Sequence, residues 1–313
     1  MQETRSVAAV EASFAGKRVL VTGATGFIGT KLCSRLAAAG ARVNGVSRGE
    51  ASLPGGVTHH RCDASEADEL RAVFRSVEPE LVYHLASFVS GSRELDAVLP
   101  TLRGNLVSSV NTLMACVECG GCPAVLAGSL EEPGPDHPVP VSPYAAAKGA
   151  SSSYAHMFHA LYELPVSLAR IFMVYGPEQP KHQLIPYVTL SLLRGEAPEL
   201  SSGERPVDWI YIDDVVDGLL HMGSRPGCAG AEIDLGSGEL VSVRSVAEGI
   251  AARVGRAVSP RFGALPDRPR ERVCRAGVEE TERRLGWRPG VSLAEGLDRT
   301  VLWARKLLEN EAD

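Results

Sequence analysis

The 313-residue sequence has few aromatic residues, no long apolar run and no cluster of basic residues. No stretch reaches the roughly 18 consecutive apolar residues that a membrane-spanning helix needs. The N-terminus also lacks the apolar core of a secretory signal. The net charge is −6, without a basic block. These absences argue against a membrane partner, secretion and electrostatic binding of nucleic acid. We therefore expect a soluble, cytoplasmic, globular protein with an aliphatic core.

The seven cysteines are an odd number and cannot all pair in disulfides, which favours reduced thiols. Cys116, Cys119 and Cys122 form a Cys-x2-Cys-x2-Cys run, a spacing found in iron–sulfur and zinc sites. However, the first two end a predicted helix and the third follows the turn Gly120-Gly121. No fourth ligand is evident, so we predict no metal site.

Short apolar runs alternate with helical patterns through the first half of the chain. This alternation predicts an α/β fold with a doubly wound parallel sheet, Rossmann-like, with helices on both faces. The predicted strands are residues 18–23, 42–47, 81–86, 124–129 and 166–171. The predicted helices are residues 31–40, 64–77, 105–119 and 144–163.

The regular alternation of strand and helix patterns ends after about residue 172, which predicts a second, smaller lobe. We expect an N-terminal tail at 1–16, a dinucleotide-binding domain at 17–172 and a C-terminal α/β substrate lobe at 173–313. Part of this lobe, about 208–236, is expected to fold back onto the first sheet.

The sequence VTGATGFIG follows the first predicted strand and opens a helix. Glycines at this spacing allow a tight turn, a close approach of the backbone to a pyrophosphate, and close packing of helix on sheet. The helix N-terminus then offers N–H groups to the phosphates. The predicted phosphate contacts are Gly23, Thr25, Gly26, Phe27, Ile28 and Gly29.

The second strand ends in Ser47 and Arg48, where NAD-binding proteins usually place an acid. An arginine there favours a 2′-phosphate, so we predict NADP(H), with NAD as the alternative. Further cofactor contacts are expected at Asp63 near the adenine, and at Leu85, Ala86 and Ser87 near the nicotinamide.

Tyr144 and Lys148 lie four residues apart on a predicted helix, so both side chains project from one face. An ammonium and the positive charge of a nicotinamide would lower the pKa of the phenol, making Tyr144 a usable acid or base. Ser129 ends the preceding strand and could hydrogen-bond the same substrate oxygen.

With these residues the chain resembles the extended short-chain dehydrogenase/reductase superfamily, which includes nucleotide-sugar epimerases, dehydratases, decarboxylases and ketoreductases. The resemblance rests on TGATGFIG, VYHLAS, SPYAAAK, VYGP and DWIYIDDVVDGL. It implies that Ser129, Tyr144 and Lys148 form the catalytic triad, with Tyr144 and Lys148 also contacting the cofactor. It also implies a nucleoside-diphosphate sugar in the C-terminal lobe, and a homodimer formed by the helices around 100–118 and 144–162.

The residues after Ser129 separate the subfamilies. Sugar 4,6-dehydratases typically carry Thr-Asp-Glu here, whereas this chain reads Ser129-Leu130-Glu131. Leu130 cannot donate a proton, which counts against a dehydratase. Glu131 keeps the position of the base and could contact the sugar, as it does in reductases of 4-keto sugars and in decarboxylases.

Two departures from the family pattern concern the substrate. Met173 stands where the family often has Asn, and Val207 stands where an Arg often clamps the diphosphate. Arg205, or Arg270 in the run LPDRPRER, is the candidate replacement, since arginine can hold phosphate bidentately.

These features predict an NADP(H)-dependent reductase of a nucleotide-activated 4-keto, 6-deoxy sugar, with Tyr144 as proton donor. The alternative is an epimerase or decarboxylase that retains NAD and uses Glu131. A non-catalytic NADP-binding protein is the third hypothesis.

Overall fold

The computed structural model describes residues 7–312, which divide into two compact units. Unit 1 contains the residues up to Ile171 together with Val216–Asp234 and Glu279–Trp287. Unit 2 contains Phe172–Val215, Leu235–Val278 and the residues from Arg288 onward.

The strands and helices alternate as predicted over the first half of the chain. The strands are β1 (Arg18–Thr22), β2 (Arg42–Ser47), β3 (Thr58–Arg61), β4 (Leu81–His84), β5 (Ala124–Ser129), β6 (Val166–Ile171), β7 (Met173–Tyr175), β8 (Pro206–Tyr211), β9 (Glu232–Leu235) and β10 (Leu240–Ser242). The helices are α1 (Val7–Ala12), α2 (Phe27–Ala38), α3 (Ala67–Val77), α4 (Val98–Thr101), α5 (Ser108–Glu118), α6 (Pro143–Tyr162), α7 (Leu184–Arg194), α8 (Ile212–Gly223), α9 (Val243–Val254), α10 (Val278–Leu285) and α11 (Leu293–Ala312).

A seven-stranded sheet in the order β3-β2-β1-β4-β5-β6-β9 forms the centre of unit 1. The neighbours from β3 to β6 all pair in parallel. Their side chains are mostly buried because helices pack on the sheet, which explains the near-continuous apolar runs. The predicted doubly wound α/β fold is confirmed.

The N-terminal segment differs from the tail expected at 1–16. Residues 1–6 lie outside the described part of the chain, but α1 packs on unit 1 through Val10, and Phe14 beyond it is also fully buried. Glu11 of α1 pairs with Arg35 of α2 at 2.6 Å. Apolar side chains at the two positions explain why this segment folds against the sheet unit.

The segment that returns to unit 1 is shorter than the predicted 208–236, because β8 belongs to a separate three-stranded sheet of unit 2, in the order β10-β8-β7. Asp208 anchors β8 there. Its buried carboxylate accepts hydrogen bonds from the backbone N–H groups of Ser237, Gly238 and Ala276, at 2.6, 2.9 and 2.9 Å. Among the described residues, no helix has the length and apolar character of a membrane span.

Buried polar side chains surround His84 at the end of β4. Its Nδ1 lies 2.9 Å from the Thr22 hydroxyl and 3.0 Å from that of Thr112, and its Nε2 lies 3.4 Å from Ser108. Burial, with a smaller effect from the Lys148 charge, lowers the pKa of His84 from 6.5 to about 3. The imidazole is therefore neutral at physiological pH, and it holds β4 against α5.

This depressed pKa predicts a pH-dependent stability. Below pH 6.5 the unfolded chain binds a proton at His84 that the folded chain does not, so folding weakens as the pH falls from about 6.5 toward 3. Proton binding at His84 lowers the free energy of unfolding by at most about 1.4 kcal/mol per pH unit. Urea unfolding should show that the free energy of unfolding of the wild type exceeds that of His84→Gln by a margin that narrows as the pH falls. A difference that stays constant with pH would contradict the low pKa of His84.

Candidate active site

The glycines of the turn between β1 and α2 allow its backbone to pack tightly. Gly23 has a φ of +71°, and a Cβ there would lie 2.7 Å from the Ala86 nitrogen. A Cβ on Gly29 would lie 2.1 Å from the Gly23 carbonyl oxygen. A side chain at Gly23 would collide with the backbone that follows β4, and one at Gly29 would push α2 away from the turn.

The surface above this turn is accessible at the start of α2. Thr25 and Gly26 are exposed, Phe27 and Ile28 are half-buried, and no side chain within the described residues caps the start of α2 at Gly26. The first N–H groups of α2 therefore remain available to an anionic ligand. The predicted phosphate contacts are all brought to this one turn.

The end of β2 presents the second predicted cofactor region. The Ser47 hydroxyl donates to the Gly49 carbonyl at 3.0 Å and lies 2.8 Å from the His59 Nε2. Arg48 is exposed. Asp63 has a local role, since its Oδ1 accepts from the backbone N–H and the hydroxyl of Ser65 at 2.9 and 2.8 Å.

Asn105 fixes the loop after β4, and it was missed by the sequence analysis. It is fully buried in a π-helical segment, Leu102–Val107, that joins α4 to α5. Its Oδ1 accepts from the Ser87 hydroxyl at 2.7 Å and from the Phe88 N–H at 2.8 Å. A Cβ on the preceding Gly104 would lie 2.8 Å from the Phe88 Cβ. An Asn beside a Gly within a helical pattern was the available signal.

Ser129, Tyr144 and Lys148 are brought together at the end of β5 and the start of α6. Ser142 caps α6, accepting the Ala145 N–H at 3.1 Å, and Pro143 occupies the first turn. The side chains of Ser129 and Ser87 lie near enough to the Tyr144 phenol to lower its pKa, against the larger opposite effect of burial. The Lys148 ammonium is buried and donates to the Ala127 carbonyl at 2.7 Å.

Burial changes the proton affinities of both helical groups. It raises the pKa of Tyr144 to about 12 and lowers that of Lys148 to about 8. The phenol is desolvated and also lies near Glu131 and Glu132, whose charges raise its pKa further. The lowering expected from the sequence concerns the phenol beside a bound nicotinamide, whose positive charge is a separate contribution. The Lys148 Nζ lies 6.0 Å from the Tyr144 ring centroid. Without a cationic ligand, Tyr144 is therefore a protonated acid at neutral pH.

The two glutamates after Ser129 have different surroundings. The Glu131 N–H donates to the Ser129 hydroxyl at 3.2 Å, and its carboxylate is near enough to raise the pKa of Tyr144. Glu132 was missed by the sequence analysis. Its carboxylate accepts the Ser129 N–H and the Ser152 hydroxyl, both at 2.6 Å.

The candidate substrate residues other than Glu131 lie in unit 2. Met173 begins β7 and pairs with Trp209 of β8. The Arg205 guanidinium lies 3.4 Å from the Glu271 carboxylate, and Arg270 is exposed with a φ of +60°. Val207 is buried in β8, which suits an apolar residue and not an arginine.

The cysteine run has the predicted backbone arrangement. Cys119 follows the last residue of α5 and is exposed, whereas Cys116 and Cys122 are buried. A hydrogen bond with Cys122, together with burial, holds the pKa of the Cys116 thiol well above its usual value. Within residues 7–312, no three metal-ligating side chains converge on one point.

Comparison with known proteins identifies relatives over almost the whole chain. UDP-glucose 4-epimerase of Mycolicibacterium smegmatis is 33% identical, covering 92% of this chain and 98% of the relative. The crystal structure of Thermotoga maritima UDP-glucose 4-epimerase with UDP-glucose has a TM-score of 0.85 at 26% identity, over 93% of this chain and 99% of that one. The Thermus thermophilus UDP-glucose 4-epimerase complex with NAD has a TM-score of 0.81 at 27% identity, over 92% and 99%.

The family pattern covers most of the sequence as well. The NAD dependent epimerase/dehydratase family matches residues 19–235, which include the glycine turn, the triad and the returning strand β9. The resemblance inferred from the motifs is confirmed. The chain therefore belongs to the NAD dependent epimerase/dehydratase family, and is an enzyme of the extended short-chain dehydrogenase/reductase type.

Proposed function

We propose that this protein is a UDP-hexose 4-epimerase that retains NAD and consumes none of it. The observation that carries the proposal is the near full-length similarity to UDP-glucose 4-epimerase, in a chain whose Ser129, Tyr144 and Lys148 meet at one site. These relatives favour the epimerase alternative over the reduction of a nucleotide-activated 4-keto sugar. An intact triad also argues against a non-catalytic protein.

Epimerisation at C4 requires the same residues to act as base and then as acid. The Tyr144 phenolate accepts the proton of the C4 hydroxyl as the carbon is oxidised, and it returns that proton when the ketone is reduced from the opposite face. Bound NAD would accept the hydride from C4 and give it back. Substrate and product are isomers, so atoms and electrons balance over the cycle.

The surroundings of Tyr144 suit this double role. With a pKa of about 12 in the cofactor-free chain, the phenol readily holds a proton for the second half of the cycle. The first half needs a lower pKa, which the adjacent positive charges of Lys148 and an oxidised nicotinamide favour. Ser129 lies beside the phenol and lowers its pKa, so it can orient the same sugar oxygen.

Incubation of the purified enzyme with UDP-glucose and with UDP-glucuronate tests the function directly. We expect chromatography to show the C4 epimer of one of them, without added cofactor and without net change in nicotinamide absorbance. Tyr144→Phe should lower kcat by about 10²–10⁴-fold while cofactor binding stays intact. A pentose product would establish a decarboxylase instead, and NADPH consumption by a 4-keto sugar would establish the reductase.

The residues at the end of β2 bear on the choice between NAD and NADP. The solved neighbour with NAD supports NAD, whereas the exposed Arg48 beside Ser47 can contact a 2′-phosphate. We propose that NAD is the working cofactor and that Arg48 allows NADP to bind as well.

Calorimetric titration of both oxidised cofactors tests this assignment. Arg48→Ser should weaken binding of NADP by about tenfold or more, because a charge-assisted hydrogen bond is lost, and leave NAD binding nearly unchanged. Equal losses for both cofactors would remove Arg48 from the selectivity of the site.

We also propose a homodimer formed by the helices around 100–118 and 144–162. Apolar side chains are exposed along this part of unit 1: Leu99 is 67% exposed, and Leu95, Leu102, Tyr154, Leu161 and Tyr162 are also exposed. Such a patch marks an interface more often than a solvated surface.

Sedimentation of wild type and Leu99→Asp tests the interface. The wild type should sediment as a dimer and the variant as a monomer, since burial of the new carboxylate is costly. Leu302→Asp, at a comparably exposed leucine of unit 2, should leave the dimer intact. A dimer that survives Leu99→Asp would place the interface elsewhere.

A further inference from the structure

Glu132 joins the loop after β5 to helix α6. One carboxylate oxygen accepts the backbone N–H of Ser129, and the other accepts the hydroxyl of Ser152, each at 2.6 Å. Ser129 and Ser152 are both buried. The carboxylate therefore holds a triad residue and the triad helix at the same time.

Two glycines make room for the packing around this carboxylate. A Cβ on Gly128 would lie 2.8 Å from the Glu132 Oε1. A Cβ on Gly149 of α6 would lie 2.7 Å from the Cδ of Pro133, the next residue of the loop. The absence of side chains at both glycines lets the loop pack directly on α6 and fixes the position of the carboxylate.

The carboxylate lies beside the face of α6 that carries the triad. Lys148 and Ser152 are four residues apart, so the residue that binds Glu132 is one turn beyond the ammonium. The ionisable groups that interact with Glu132 are Tyr144 and Lys148 of α6, Arg170 of β6 and Glu232 of β9. The Glu232 carboxylate is in turn 3.6 Å from His156.

We propose that Glu132 is a positioning residue that supplies the counter-charge of the Lys148 ammonium and is itself held in place by Ser129 and Ser152. Burial lowers the pKa of Lys148 to about 8, and the charge of Glu132 opposes this lowering. Glu132 thus favours the protonated form of Lys148, whose Nζ lies 6.0 Å from the Tyr144 ring centroid. The inference deepens the proposed function, since it concerns the proton transfer that epimerisation requires.

The low lysine content allows Lys148 to be titrated directly. The chain contains five lysines: Lys17, Lys31, Lys148, Lys181 and Lys306. Protein labelled with ¹³C at the lysine ε-carbon should therefore give five resolvable signals, and the signal lost in Lys148→Arg identifies Lys148. Glu132→Gln is the test variant, because a glutamine carbonyl keeps the length of the side chain but removes its charge.

The pKa of Lys148 should fall by about one unit in Glu132→Gln, in the range expected for loss of an adjacent opposite charge. Glu131→Gln removes the same charge from the neighbouring position and should shift the Lys148 signal far less, because Glu131 does not contribute to the pKa of Lys148. Unchanged titration in Glu132→Gln, or equal shifts in both variants, would overturn the proposal. Circular dichroism checks that each variant is folded.

The pH dependence of turnover provides the second readout. In Glu132→Gln the alkaline limb of the kcat profile should move to lower pH by the same amount as the Lys148 titration, with KM little changed. A uniform loss of kcat at all pH values would indicate a merely structural role. Because the titration needs no substrate, it remains valid if the wild type epimerises neither UDP-sugar, and the two proposals fail separately.

Discussion

The contact between the end of β5 and the first turns of α6 is the constraint on which the candidate site depends. The Lys148 ammonium donates to a carbonyl of β5, and the loop between the two elements packs on Gly149 without an intervening side chain. The serine that caps α6 fixes where the helix begins, and this start places Tyr144 near Ser129. Sheet and helix therefore set the geometry of the triad together.

Burial has opposite consequences for the groups that this contact brings together. It favours the neutral form of each one, so Tyr144 holds its proton more tightly and Lys148 holds its proton less tightly. His84, beneath the same site, remains neutral for the same reason. A phenol that must exchange a proton in both directions thus depends on charges placed around it, of which Glu131 and Glu132 are negative and Lys148 is positive.

The sequence predicted those features that depend on local pattern. Parallel strands, the glycine turn at Gly23 and the face shared by Tyr144 and Lys148 follow from spacing along the chain. Asn105 and Glu132 could not be predicted in this way, since their partners Phe88 and Ser152 are distant in the sequence. The rise that burial causes in the pKa of Tyr144 could not be predicted for a related reason, since desolvation depends on how the surrounding loop folds.

The π-helical segment Leu102–Val107 sets the rotational phase of α5. A wider turn of this kind accommodates one residue more than an α-helix would, and each residue of an α-helix turns by about 100°. Deleting one residue here would return the segment to α-helical turns and leave Ser108 and Thr112 facing His84, because the wide turn already holds the additional residue. Inserting a further residue would instead turn every side chain downstream by about 100° and carry Ser108 and Thr112 away from His84, so this helix tolerates a shorter length better than a longer one.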